Sequence, residues 1–196
     1  MKPAQRTLPP GYHATTEINL AKNPRLALWL NLVGFGLFFL AAASLGVYLQ
    51  AVRPEALTGE FRLENLWWAV GLLALVVANL IVHELIHGLF FYLFTGAAPV
   101  FALRLTYAYA AAPDWYLPRL PYLVVGLAPL VLIDLACLVL IAFGPQAWVL
   151  PAAVVAALNT SGAVGDMLMI ALVLRAAPGS LVNDRGDCVI IYTHHA

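Results

Sequence analysis

The residues best suited to chemistry are His83, Glu84 and His87, which form the pattern H-E-x-x-H inside a long apolar stretch. Residues four apart lie about one turn apart on the same face of an α-helix, so both imidazoles can bind one metal ion. The carboxylate of Glu84 would stand beside them as the general base of a hydrolase. Because ionisable residues in apolar helices are costly, they mark function by default. The pattern predicts a metal-dependent hydrolase with Zn²⁺ as its cofactor.

The composition of the chain is that of a membrane protein. It has 196 residues, of which 63% are hydrophobic and 10% are charged, whereas a soluble domain carries roughly 25% charged residues. Ten basic and ten acidic side chains give a formal net charge of zero, which argues against nucleic acid as a partner. Cys137 and Cys188 lie in such different surroundings that they indicate neither a disulfide nor a cysteine-ligated metal.

Four apolar stretches can each cross a hydrocarbon layer about 30 Å thick, which requires around 20 helical residues. We place these spans at residues 26–49, 66–94, 120–143 and 147–174, after a polar segment at 1–25 and before a tail at 175–196. Asn23 is predicted to cap the first helix, with Pro24 as its first residue. The predicted fold class is an all-α membrane protein, a single domain over residues 1–196 with four transmembrane helices in the lipid bilayer.

The positions of Lys and Arg predict the orientation of the spans. If the N-terminus is inside, only Arg53 and Arg62 of the ten basic residues lie outside, so both termini are expected in the cytoplasm, with the protein in the cell membrane. His83 and His87 then lie 11 and 7 residues before the inner end of the second span, and Asp166 lies 8 residues before that of the fourth. At 1.5 Å per residue the three side chains share a depth of about 10 to 16 Å, which water can reach through a cavity.

This shared depth makes Asp166 our choice for the third protein ligand that a catalytic zinc site requires. Zn²⁺ with ionised Asp166 and Glu84 has zero formal charge, which lowers the cost of burying the three groups. Asp166 could instead hold helices together through hydrogen bonds. Asp134 is a rival ligand, but it lies deeper in the third span, so we favour for it a helix-helix contact or a role in orienting a ligand.

Asn159 lies seven residues before Asp166, which is two turns along the same face of a helix. Its amide could bind a substrate carbonyl or the developing oxyanion, and it could equally bridge two helices. The remaining histidines are expected on the surface, although a tail that folds back to the metal is an alternative. They are His13, His194 and His195.

Large and small side chains alternate over residues 100–110, between the second and third spans. A period of two predicts a strand, which would form a small β-like element on the cytoplasmic side or re-entering the membrane. We expect Thr106 and Tyr107 to contact an extended substrate that adds to this strand. The β-prone residues 188–193 of the tail could pair with it.

Four sequence blocks together resemble the putative membrane zincin peptidases, an uncharacterised family similar to site-2 proteases. The blocks are H-E-L-I-H-G-L-F-F from residue 83, A-Y-A-A-A-P-D-W-Y-L-P-R from 108, G-L-A-P-L from 126 and N-T-S-G-A-V-G-D-M from 159. The resemblance implies that His83, His87 and Asp166 bind zinc and that Glu84 is the catalytic base. We therefore predict a zinc peptidase that cleaves membrane-associated polypeptides within or beside the bilayer.

Three other interpretations remain open. The two histidines could simply hydrogen-bond to neighbouring helices. The chain could be a membrane desaturase or hydroxylase, but such di-iron enzymes use about eight histidines and this chain has five. It could also be a non-catalytic scaffold or a degenerate peptidase that binds partners, although a scaffold has no use for Glu84 as a base.

Overall fold

The computed structural model describes residues 4–57, 66–104 and 107–194, without the side chains of residues 57 and 66–69. Within these residues the protein is mostly helical, as predicted. The five α-helices are α1 (Pro24–Val52), α2 (Leu66–Thr95), α3 (Arg119–Phe143), α4 (Gln146–Gly162) and α5 (Val164–Arg175). The first begins as expected, because the Asn23 side chain accepts a hydrogen bond from the Leu26 N–H at 3.1 Å.

Among the described residues, α1, α2 from Val70 onward and α3 are each long and apolar enough to cross a membrane. The fourth predicted span differs, because α4 and α5 are separate helices bent by 47°. The sequence around Ala163 contains Ser161, Gly162 and Gly165, and Gly/Ser pairs are common sites of helix kinks. The structure thus has three candidate spans, or four if the bent pair is one span, and Asp166 lies in the first turn of α5.

The three long helices expose large apolar side chains over much of their surface. Phe35, Val47, Leu73 and Leu93 are each more than 60% exposed. Soluble monomers rarely expose contiguous apolar patches of this extent. Such a surface is suited to contact with hydrocarbon.

The described residues also form six strands, which is more β-structure than the one small β-like element that was expected. They are β1 (Tyr12–Asn19), β2 (Val100–Leu103), β3 (Ala108–Ala111), β4 (Tyr116–Pro118), β5 (Leu181–Asp184) and β6 (Cys188–His194). Four of them form an antiparallel sheet in the order β1-β6-β5-β4, and β2 and β3 form a separate hairpin. The sequence prediction of one strand over residues 100–110 therefore corresponds to two strands.

The pairing of the tail strand was predicted wrongly. β6 pairs with β1, with Glu17 opposite Ile190, and with β5, with Val182 opposite Ile191. The strand β1 went unpredicted because it lies in the polar N-terminal segment. Its Thr15, Thr16 and Ile18 are β-branched residues that favour a strand once a partner is present.

The described chain divides into two compact units. Unit 1 comprises Met1–Leu30, Glu84–Pro129 and Gly165–Ala196, and unit 2 comprises Asn31–His83 and Leu130–Val164. The strands all belong to unit 1, whose core includes the fully buried Phe91, Leu117 and Val182. Unit 2 buries Ile141, Val149 and several alanines of α4. All four boundaries fall inside helices: after Leu30 of α1, after His83 of α2, after Pro129 of α3 and after Val164, the first residue of α5.

Candidate metal centre

One face of α2 is turned inward, and it carries both histidines of the H-E-x-x-H pattern. His83, His87 and Phe91 follow each other at intervals of four residues and are 7%, 6% and 1% exposed. Leu85 and Leu89, on other faces of the same helix, are about half exposed. The helical period therefore places the two imidazoles one above the other on the buried side.

The His87 ring is anchored by a backbone carbonyl of unit 1. Its Nδ1 lies 2.9 Å from the Val125 carbonyl oxygen on α3. Because a carbonyl can only accept, Nδ1 must carry the proton and donate it, which makes Nε2 the atom that can bind a metal. This Nε2 lies 3.3 Å from Oδ2 of Asp166.

The His83 ring is anchored by side chains of unit 2. Its Nδ1 lies 2.8 Å from Oδ1 of Asn159 on α4. The Asn159 Nδ2 donates to Oδ1 of Asp134 at 2.8 Å, and the Thr160 hydroxyl donates to Oδ2 of Asp134 at 2.7 Å. A carboxylate only accepts, so the Asn159 amide must turn its NH₂ to Asp134 and its oxygen to the imidazole. His83 therefore also donates through Nδ1 and keeps Nε2 for a metal.

These side chains form a cluster that fits a zinc ion. One ligand atom from each of His83, His87 and Asp166 lies within 4.8 Å of the other two. Ligands at the zinc distances of 2.0–2.2 Å in a tetrahedron stand about 3.4 Å apart, which matches the 3.3 Å between His87 Nε2 and Asp166 Oδ2. Two imidazoles and one carboxylate are also a ligand set of catalytic zinc sites.

Glu84 follows His83 on α2 and precedes His87 by one turn. Its side chain is half-buried, and its Oε2 is shielded from solvent. This position next to the ligand-bearing face is the one that the H-E-x-x-H pattern gives to a general base.

The position of Asp166 depends on close packing between α3 and α5 in unit 1. A Cβ on Gly126 of α3 would lie 3.2 Å from Cγ1 of Ile170, so glycine allows the two helices to approach. Ile170 lies one turn after Asp166 and on the same side of α5. Asp166 in turn lies in the first turn of its helix, where the helix dipole stabilises a negative charge.

The hairpin predicted to hold the substrate is hydrogen-bonded to Asp187 through Arg104 and Tyr107. Tyr107 donates its hydroxyl to Oδ1 of Asp187 at 2.7 Å, and Arg104 donates to Oδ2 at 2.8 Å. These two partners hold the pKa of Asp187 below its usual value, and burial together with the Asp187 carboxylate raises the pKa of Tyr107 to about 12. Thr106 lies outside the described residues.

The base of the hairpin packs beside the turn of α2 that carries His87. Gly88, the residue after His87, faces the Phe101 ring and Pro99, and a Cβ there would overlap that ring. Among the described residues β2 pairs with β3 alone, so its other edge carries no strand. Val100 and Leu103 are exposed on β2.

The structure also assigns partners that sequence reasoning missed. Asp184 of β5 accepts hydrogen bonds from the Tyr122 hydroxyl at 2.9 Å and from the Gly186 N–H at 2.8 Å. Burial raises the pKa of Asp184 to about 6. The sequence around Asp184 gave no signal for this contact with α3. The anchoring role of the Val125 carbonyl had no side-chain signal at its own position.

Two of the histidines outside α2, His13 and His194, lie on the four-stranded sheet. His13 belongs to β1 opposite Thr193, and His194 is exposed with its ring 5.4 Å from that of Tyr12. His194 therefore lies at the surface as expected, His13 is half-buried, and His195 lies outside the described residues.

A family model described as "Putative zincin peptidase" matches residues 76–181, more than half of the 196 residues. The matched range begins within α2 and ends at the start of β5, and it includes Glu84 and all three members of the cluster. No curated protein and no solved structure matches the chain. Together with a histidine and aspartate cluster suited to zinc, the match over most of the helical region shows that the chain belongs to the "Putative zincin peptidase" family.

Proposed function

We propose that this protein is a zinc-dependent peptidase in which His83, His87 and Asp166 bind the metal and Glu84 is the catalytic base. The observation that carries the proposal is the convergence of one ligand atom from each of the three residues within 4.8 Å. The Nδ1 contacts of both histidines support it, because they direct each Nε2 to the metal. The family match supports the same reaction class.

In amide hydrolysis at this site, the metal and the surrounding residues have separate roles. Zinc, when bound, lowers the pKa of its water towards 7 and polarises the scissile carbonyl. Glu84 takes the proton of the attacking water and later delivers it to the leaving nitrogen. Asn159 and the Val125 carbonyl keep the two imidazoles in a single tautomer throughout.

The substrate is a membrane-associated polypeptide, cleaved within or beside the bilayer as in site-2 proteases. A helical substrate hides its amides in i to i+4 hydrogen bonds, so it must unwind before attack. The β2 edge near Gly88 can hold the unwound segment by strand addition, with Thr106 and Tyr107 as predicted contacts. Tyr107→Pro should therefore lower turnover while bound zinc is retained, and unchanged turnover would argue against this role of the hairpin.

We place the protein in the cell membrane as a multi-pass protein with both termini in the cytoplasm. The apolar surfaces of α1, α2 and α3 and the distribution of Lys and Arg support this placement. Thr7 and His194 are exposed, so Thr7→Cys and His194→Cys, each in a Cys188→Ser background, can be labelled with a membrane-impermeant maleimide. Labelling is expected in permeabilised cells and not in intact ones; labelling of intact cells would reverse the orientation.

The peptidase proposal is tested by metal content and cleavage together. The detergent-purified protein is expected to hold about one zinc per chain, which His83→Ala and Asp166→Ala should lose. Glu84→Gln should keep the zinc but not cleave fluorogenic peptides that carry one transmembrane segment. A wild-type protein without zinc would overturn the proposal. Bound zinc without cleavage would favour the non-catalytic, partner-binding alternative.

A further inference from the structure

The Val125 carbonyl that anchors His87 occupies an unusual position in α3. In an α-helix the carbonyl of residue i accepts the N–H of residue i+4, which for Val125 is residue 129. Residue 129 is a proline inside the helix, and proline has no N–H to donate. The carbonyl of Val125 therefore lacks its regular helical donor and accepts from Nδ1 of His87 at 2.9 Å.

The proline ring acts on this carbonyl in a second way. In a helix interior the ring clashes with the carbonyl of residue i−4, which tilts that carbonyl away from the helix axis. For Pro129 the carbonyl of residue i−4 is that of Val125. Val125 is 2% exposed, and Pro129 is fully buried, so bulk solvent does not reach this position. The imidazole of His87 is the donor supplied by the fold.

We propose that Pro129 is a positioning residue that reserves the Val125 carbonyl for His87 and so fixes the imidazole for metal binding. This inference rests on the proposed zinc site, because its effect on function passes through His87. Any other residue at position 129 restores an N–H that competes for the same carbonyl. Since a carbonyl has two lone pairs, the His87 bond would be weakened rather than lost.

The test compares variants that restore the N–H at position 129 with a control variant in which a proline of another helix is replaced. Pro129→Ala restores it with a good helix former, and Pro129→Val restores it while keeping more of the buried volume. Pro151→Ala is the control, because Pro151 also lies inside a helix, α4. The carbonyl that it affects, that of Ala147, lies about three turns before Asn159.

Two measurements are made on each purified protein. Zinc affinity, from competition with a chromogenic chelator, should fall about 3- to 10-fold in both Pro129 variants, as expected for weakening one hydrogen bond, and stay unchanged in Pro151→Ala. In the zinc-free protein the low-field Nδ1 proton of His87, assigned by its loss in His87→Gln, should move upfield and exchange faster in both Pro129 variants. A merely structural proline would lower thermal stability without moving this signal.

The proposal is overturned if both Pro129 variants keep the wild-type zinc affinity and the wild-type Nδ1 proton signal. It is also overturned if Pro151→Ala changes them equally. The zinc-free measurement separates this inference from the proposed function. A wild type that binds no zinc would refute the peptidase, while the response of the His87 proton would still decide the role of Pro129.

Discussion

The two histidines of the cluster reach the same tautomer by different means. His87 donates to a main-chain carbonyl in the unit that contains the strands. His83 donates to the side chain of Asn159, whose orientation depends in turn on Asp134. A backbone acceptor remains when the side chain of its residue is replaced. A network of hydrogen-bonded side chains is lost when any one of them is replaced. The site therefore combines one anchor that tolerates substitution with one that does not.

The largest effect should come from removing the side-chain anchor. Asn159→Ala leaves Nδ1 of His83 without its partner, and such losses typically cost 10- to 100-fold in metal affinity. Val125→Ala keeps the carbonyl that holds His87, so zinc affinity should stay within about threefold of wild type. Chelator competition measures both. Equal losses in the two variants would contradict the contrast between the anchors.

A smaller effect, about 10-fold, is expected at Asp134, which acts on His83 through Asn159. Asp134→Leu removes the acceptor that orients the Asn159 amide, whereas Asp134→Asn retains an oxygen that can accept. Zinc affinity should therefore fall in the first variant and largely recover in the second. Ser44→Ala is the control, because Ser44 lines the same cavity as Asp134 and donates to Leu40 of its own helix. Wild-type zinc affinity in Asp134→Leu would show that Asp134 does not help to orient His83.

The packing beside His87 can be tested with two glycines of α2. Gly88→Ala places a methyl group into the Phe101 ring, which should shift the hairpin and lower turnover a few-fold while zinc is retained. Gly71→Ala meets no atom within 4 Å, so it should be neutral or slightly stabilising. Turnover and zinc content of the two proteins are compared at one pH. Loss of zinc in Gly88→Ala would show that the hairpin also supports the His87 anchor.

The smallest effect is expected at the turn of the hairpin. Asp187→Asn weakens the contacts with Arg104 and Tyr107, and for a pair near the surface the melting temperature should fall by at most about 2 °C. Because these partners lower the pKa of Asp187 in the folded state, its stabilising effect is present above the ordinary value of 3.8 and is lost as the pH falls through the lowered pKa. Thermal melts of both proteins over this range measure the difference. A constant difference down to the lowest pH would argue against the ion pair.

The positions of the helices were predictable because composition and length determine them. Asn23 as the cap and Pro24 as the first residue of α1 could be read from local rules. The break near Ala163 was missed, since an apolar run of sufficient length does not reveal where its backbone bends. The sheet was missed in part because strand pairing joins residues far apart in sequence, as β1 with β6.

More of the candidate site than of the sheet could be predicted from the sequence. The intervals between His83, Glu84 and His87 determine their arrangement on a helix, and matched depth led to Asp166. The roles of these residues, and of Asn159, Thr106 and Tyr107 as substrate contacts, stay predictions. Both polar atoms of the Asn159 amide contact other side chains, which favours orientation of His83 as its role. Such partners cannot be read from one sequence, because a hydrogen bond between helices depends on how they pack.

Within the described residues one edge of β2 has no partner strand, and such an edge can bind another copy of the chain and start aggregation as well as bind a substrate. Proteins limit this hazard with short edge strands, prolines and charges. β2 has four residues, follows Pro99 directly and ends next to Arg104. The edge is therefore long enough to hold a few residues of an extended peptide and too short and too interrupted to template a growing sheet.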